Sequence, residues 1–206
     1  MLKEATMILR SSPASPFGRK VKIAALVLGL MDQIEVVVAN TLDPDDVIRK
    51  QNPLGKIPAL ILKDGTTLYD SRVIVEYLDH VAGGGKIIPL STKERFDALT
   101  LQALADGVMD AALLQVYEGR FRDEDKREPK WLEHQSGKVT RGLDALETHV
   151  PHLSPVPTIG AITVACALGY LDLRFGDTWR QGRPRLTAWL EDFAARYPAY
   201  SATVPH

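Results

Sequence analysis

Two patterns of hydrophobic spacing share this chain, and one gives way to the other at Gly83-Gly84-Gly85. Ahead of the glycines, short apolar runs alternate with stretches whose apolar residues recur every three to four positions. Beyond them only the second pattern persists. That order predicts a mixed sheet covered by helices, followed by a separate all-helical unit. With 206 residues the chain has room for one or two such units. A chain of this length buries about 70% of its unfolded surface, so a core forms without disulfides or metals. The expected division is 1–82, a linker over 83–91, and an all-helical 92–206.

The first unit reads β-α-β-α-β-β-α. Thr6 to Arg10 is a short apolar run closed by Ser11-Ser12-Pro13, as for a strand buried on both faces. Ser15-Pro16 supplies an N-cap and an N1 proline, and Val21, Ala24, Ala25 and Leu28 carry the helix to Gly29. Ile34 to Val38 is a second strand. Asp43-Pro44-Asp45-Asp46 opens a second helix that ends by Asn52-Pro53. Ile57 to Leu62 and Thr66 to Tyr69 flank an Asp64-Gly65 turn and pair as an antiparallel hairpin. Asp70-Ser71 starts a helix with Val73, Ile74, Tyr77, Leu78 and Val81 on one face. After the glycines, helices are expected over about 92–120, 129–149, 158–175 and 184–197, separated by prolines.

Charge and composition remove several classes of function. Lys and Arg number 25 against 26 Asp and Glu, which leaves no basic footprint for nucleic acid or an anionic membrane. At 45% hydrophobic residues the chain is too apolar for disorder. No uninterrupted apolar run reaches a membrane span of about 18 to 20 residues. Met1-Leu2-Lys3-Glu4 lacks the opening of a signal peptide. A soluble protein of the cytoplasm is expected. The single cysteine, Cys166, excludes an internal disulfide and a multi-thiolate zinc site. It lies in an apolar helical run and reads as an inert core thiol. His149 and His152 are separated by the helix-breaking Pro151, and no metal is expected there.

The chemistry concentrates in Asn52-Pro53-Leu54-Gly55-Lys56-Ile57-Pro58 and in Tyr69-Asp70-Ser71. A proline cannot donate to a central ladder, so Pro58 opens its strand after a loop. It is either an ordinary trans proline or a cis one; a cis turn leaves the Ile57 N–H and C=O open to pair with an extended peptide. Asp70-Ser71 is either a plain N-cap or a reader of a zwitterion. In the second case Ser71 and the helix N-terminus meet a carboxylate while Asp70 meets an ammonium.

The segment NPLGKIPALILKDGTTLYDSRVIVEYL resembles the glutathione-binding half of the cytosolic glutathione transferases. Ser12-Pro13-Ala14-Ser15-Pro16-Phe17 extends the likeness to the first strand–helix turn of bacterial, serine-type members near the zeta and omega branches. The resemblance implies an N-terminal thioredoxin-like domain, an all-helical C-terminal domain and a homodimer. Glutathione would be the co-substrate and a small apolar electrophile the partner. By the same resemblance Ile57 beside Pro58 holds the cysteinyl backbone, Asp70 and Ser71 hold the γ-glutamyl end, and Lys56 or Arg49-Lys50 meets the glycyl carboxylate. Asp106, in Ala105-Asp106-Gly107-Val108-Met109-Asp110, would reach the partner's γ-glutamyl amine, or else it is a solvated carboxylate on a helix face.

A bound thiol of pKa about 8.5 needs stabilisation as thiolate, and serine at 11, 12 or 15 is the only hydroxyl on offer in the turn. Ser15 is the chosen catalytic residue, with Ser12 as its competitor. Phe17, Val116, Tyr117 and Phe121 are expected around the electrophile. The likeness leaves other outcomes open: glutathione-dependent peroxide reduction or dehalogenation, or a non-catalytic member that binds a protein partner. Thr158-Ile159-Gly160-Ala161 carries the first half of a capping box without its carboxylate, which an aspartate at 161 would supply.

Overall fold

A computed structural model describes residues 6–205. Met1 to Glu4, on which the expected lack of a signal peptide rests, lie outside the described residues. Strands β1 (Met7–Ser11), β2 (Ile34–Val38), β3 (Ala59–Leu62) and β4 (Thr67–Leu68) form one sheet in the order β2-β1-β3-β4. β1 runs parallel to β2 and antiparallel to β3, and β4 is antiparallel to β3. Helices α1 (Pro16–Val27), α2 (Ile48–Gln51) and α3 (Ser71–Val81) alternate with the strands. Five more follow without a strand: α4 (Thr92–Phe121), α5 (Pro129–Thr148), α6 (Ile159–Phe175), α7 (Pro184–Arg196) and α8 (Pro198–Ser201). The fold is a thioredoxin-like domain followed by a helical domain.

The hairpin follows from Asp64-Gly65. Gly65 takes φ +86°, the Asp64 carboxylate accepts from the Thr66 N–H, and Leu62 and Thr66 close the turn. The second helix is shorter than the sequence pattern suggests. Asp43 turns its carboxylate onto the Asp45 N–H and Asp46 onto those of Asn40 and Ile48, so side-chain turns compete with the helix ahead of α2. The Arg10 guanidinium, 2.9 Å from Asp46, fixes that loop to β1. On α3 the buried stripe is Ile74, Val75 and Leu78, while Val73 and Val81 face outward.

Helix α6 is buried along nearly its whole length and forms the centre of the molecule. The stretch Ile159–Arg180 is by length and composition apolar enough to span a membrane, though charged residues interrupt it, and 72% of its most apolar 18 residues are buried inside the protein as a core helix. Gly160 lets α6 approach α4: a Cβ there would stand 2.7 Å from the Ala98 carbonyl. The segment between the units is tied down by Asp79 of α3, whose carboxylate accepts from the N–H groups of Gly85, Lys86 and Ile87. The Ile87 carbonyl in turn accepts from the Ile159 N–H, the first residue of α6.

Thr158 caps α6 by accepting the Ala161 N–H at 3.3 Å. Thr158→Ala should lower the unfolding free energy by about 1 kcal/mol, and Ala161→Asp should raise it by about 0.5 to 1 kcal/mol by closing the box. Denaturant unfolding of both variants measures the two signs.

Candidate functional site

Strand directions alone gather the candidate residues. Because β1 and β4 both run antiparallel to β3, the C-terminal ends of β1 and β4 and the start of β3 share one end of the sheet. Helices α1 and α3 begin there, so Ser15, the Ile57–Pro58 link and Asp70–Ser71 meet at one edge. Two helix N-termini therefore point their unpaired N–H groups to the same region, which favours an anion.

Each residue has a distinct local role. Ser15 is the N-cap of α1, and its Oγ accepts the Gly18 N–H at 3.1 Å. The hydroxyl proton is left to donate. Ser12 turns its carbonyl to the Ser15 N–H. The Ile57–Pro58 peptide is cis, as is Tyr69–Asp70. Pro58 is buried, Ile57 half-buried, and among the described residues no backbone group pairs with the Ile57 N–H or C=O. Asn52, itself buried, holds the loop by donating to the Lys56 carbonyl at 2.8 Å and accepting the Leu54 N–H. The Lys56 side chain is exposed. Asp70 caps α3 by accepting the Arg72 N–H at 2.9 Å and remains exposed, whereas Ser71 is buried. Phe17 is half-buried against the core, with the Lys20 ammonium 5.9 Å from its ring centre.

Asp106 departs from both expectations. It is fully buried in α4, and its two oxygens accept from Lys20 Nζ of α1 at 2.7 Å and Arg72 Nε of α3 at 2.9 Å. Lys20 is itself buried completely. A carboxylate with both oxygens engaged inside the protein neither faces solvent nor reaches outward. Asp110, one turn further along α4, is exposed and lies within the fields of Arg72, Lys56 and Asp70. Lost hydration and then the Asp106 charge raise its carboxyl above the usual range, against the pull of Arg72 and Lys56. The signal for Lys20 was present in the sequence, since it falls in the apolar stripe with Val21 and Ala24.

Among the described residues no cluster of three potential metal ligands occurs. Cys166 is fully buried, and burial pushes its thiol up to about 12. It belongs to the core of α6.

Residues 9–86 match the family model of the glutathione S-transferase N-terminal domain, and residues 129–192 that of the C-terminal domain. An uncharacterized GST-like protein of Escherichia coli K12, YibF, is 32% identical over 203 residues, 97% of this chain and 98% of its own length. A glutathione transferase family member from Pseudomonas fluorescens Pf-5, solved with bound glutathione, is 42% identical with a TM-score of 0.90, covering 98% of this chain and 100% of that one. A second structure from that organism, with bound S-(propanoic acid)-glutathione, superposes at a TM-score of 0.85 with 42% identity over the same shares.

The buried pair generates two predictions. Asp106→Ala should cost about 3 to 5 kcal/mol because it strands the Lys20 ammonium, whereas Lys20→Met with Asp106→Leu should cost less than either single change. Burial holds Lys20 below its ordinary value of 10.5, and Asp106 opposes this. Between those two values the unfolded chain binds more protons than the folded one, so this lysine makes stability rise with pH. Asp106→Asn removes the opposing charge, lowers the lysine further and should extend the rising limb to lower pH in a pH series of denaturant midpoints.

Proposed function

The chain belongs to the glutathione S-transferase family, and from that premise we propose that it activates the thiol of glutathione for attack on a small electrophile. The observation that carries this reading is the meeting of Ser15, the open Ile57 backbone and Asp70–Ser71 at one end of the sheet, in a fold whose 42%-identical neighbour holds glutathione. Glutathione lies along that edge as an added strand. Its cysteinyl N–H and C=O pair with Ile57, its γ-glutamyl carboxylate meets Ser71 and the start of α3, and its ammonium meets Asp70. Lys56 takes the glycyl carboxylate.

The sulfur then rests beside Ser15 at the start of α1. Lowering a thiol pKa by about two units needs about 2.7 kcal/mol of selective stabilisation. A hydroxyl donating to a thiolate supplies about 1.5 to 3 kcal/mol, and the helix N-terminus up to about 1. The thiol proton passes to solvent and the sulfur lone pair forms a C–S bond. In a substitution the leaving group departs with its bonding pair. In an addition to a conjugated double bond, the displaced π pair takes a proton from water at the α-carbon. With serine in place of a thiol at position 15, no mixed disulfide with glutathione forms there. The S-(propanoic acid)-glutathione held by the Pseudomonas neighbour has the composition such a C–S bond-forming step would give. Dehalogenation by displacement differs from this only in the second substrate, whereas in peroxide reduction the thiolate takes an oxygen from the peroxide, an alcohol leaves, and a second glutathione converts the sulfenate to a disulfide with loss of water.

The working unit is a homodimer in the cytoplasm, with residues 1–82 and 92–206 as its two domains. Asp110 rather than Asp106 is the carboxylate available to a partner's glutathione, because its side chain is open. A non-catalytic role in binding a protein is the second reading, in which Ser15 serves only as the cap of α1.

Calorimetric titration with millimolar glutathione should give saturable heat that Asp70→Asn weakens about tenfold or more. Ser15→Ala should lower kcat with 1-chloro-2,4-dinitrobenzene by about 10- to 100-fold while glutathione still binds. Binding without any turnover would favour the protein-partner reading, and no heat at all would remove glutathione from it.

A further inference from the structure

The Ser12 hydroxyl and strand β2 have no part in the steps above, and both border a cavity of about 230 Å³. It lies between β2, α1 and residues 203–205, on the opposite side of β1 from β3 and the Ile57 edge. Val36, Val38, Val204 and Pro205 form apolar walls, while Lys22 of α1 and Ser12 supply polar ones. Ile34, Val36 and Val38 share one face of β2, yet cover is lost along it: Ile34 is 6% exposed, Val36 38% and Val38 65%. Two valines thus stand open in a recess that the C-terminal segment rims without filling.

Positive charge beside this recess has no counterpart. The Arg19 guanidinium, one turn before Lys22 on α1, is buried and engages neutral groups: the Tyr200 carbonyl at 2.9 Å, the Thr203 hydroxyl at 3.3 Å and the Tyr200 ring, 4.1 Å away. Lys22 is half-buried and belongs to none of the ion pairs among the described residues. Asp106, the carboxylate buried against α1, is engaged by Lys20 and Arg72. Lost hydration, and then the Arg19 charge, pull the Lys22 ammonium below its ordinary value. An anion in the recess would offset that loss for both cations. The hydroxyls divide in the same way. Thr203 donates to the carbonyls of Ala199 and Tyr200, and Ser11 to that of Ser12, whereas the Ser12 hydroxyl has no partner among the described residues.

We infer that this recess is a binding site of its own, separate from the glutathione edge, for a monocarboxylate with a short hydrocarbon part. The carboxylate accepts from Lys22 Nζ and from the Ser12 hydroxyl, while Val36, Val38 and Val204 cover the hydrocarbon. One ammonium and one hydroxyl match a single monoanionic head; a phosphate would keep oxygens unmet against valine and proline. At about 30 Å³ for each water-sized group, the volume takes that head and a chain of about five carbons. Ser12 and Ser15, three residues apart in one turn, thereby serve two different ligands.

Methyl-resolved NMR titration of the full-length protein with hexanoate and its neutral amide, hexanamide, tests the site. Hexanoate should shift the Val36, Val38 and Val204 methyl signals saturably and bind about tenfold more tightly than the amide, the worth of one charge-assisted hydrogen bond. Lys22→Met keeps the side-chain stem and should erase that preference. Val38→Asp, at an exposed position, sets a like charge at the mouth and should weaken hexanoate by about tenfold or more. Hexanoate should bind equally with and without saturating glutathione, so the outcome is independent of whether glutathione itself binds. No saturable shift at those valines, equal affinity for acid and amide, or a preference that survives in both variants overturns the inference. Displacement of hexanoate by glutathione overturns it as well, because the acid would then occupy the Ile57 edge.

Discussion

A single carboxylate joins three helices of this molecule. Asp106 of α4 receives the ammonium of Lys20 from α1 and the guanidinium of Arg72 from α3, and the first two of these side chains are excluded from water. Burial of an ammonium is tolerable only with a charged partner at hydrogen-bond distance, so the relative placement of α1, α3 and α4 is set within narrow limits. Of these, α1 and α3 start at Ser15 and Asp70–Ser71, and α4 carries Asp110 one turn beyond Asp106. The ionic contact gives little to overall stability against an apolar alternative. Its contribution is geometric, because it fixes the helix starts at the sheet edge against the surface of the helical domain.

Much of this arrangement was legible in the residues. The change of spacing at Gly83-Gly84-Gly85, the Asp64-Gly65 turn, the Ser15-Pro16 start and the Thr158 cap are local devices, and each acts within a few residues of itself. The α2 region was not legible, because Asp43, Asp45 and Asp46 suit a helix start and side-chain turns equally well, and Arg10 decided between them from 36 residues away. Asp106 was assigned outward for the same reason: nothing in Ala105-Asp106-Gly107 says that a lysine 86 positions earlier will meet it. Long-range pairing of polar groups is what a single sequence hides best.

The site combines two kinds of surface with different origins. The side proposed to take glutathione is mostly backbone: helix starts, a capped turn and the free edge at Ile57. Such features are properties of the fold and persist through many side-chain changes. The side proposed for the second substrate would draw on α4, where Tyr117 packs against Phe121 with Arg120 beside it. The first surface is inherited with the architecture. The second can be rewritten one residue at a time, which is where members of one family can come to differ in the molecules they accept.

The contacts of Asp79 bear on how the two units behave as a whole. A glycine-rich connection would ordinarily act as a loose tether, yet three successive amides of this one are gathered by a carboxylate of α3, and its Ile87 carbonyl holds the first turn of α6. The joint is thereby part of the solid interior, with Ile87 and Ile88 fully enclosed. Melting of either unit would pull those ties from the other, so heat should dismantle the two in one concerted event rather than in sequence.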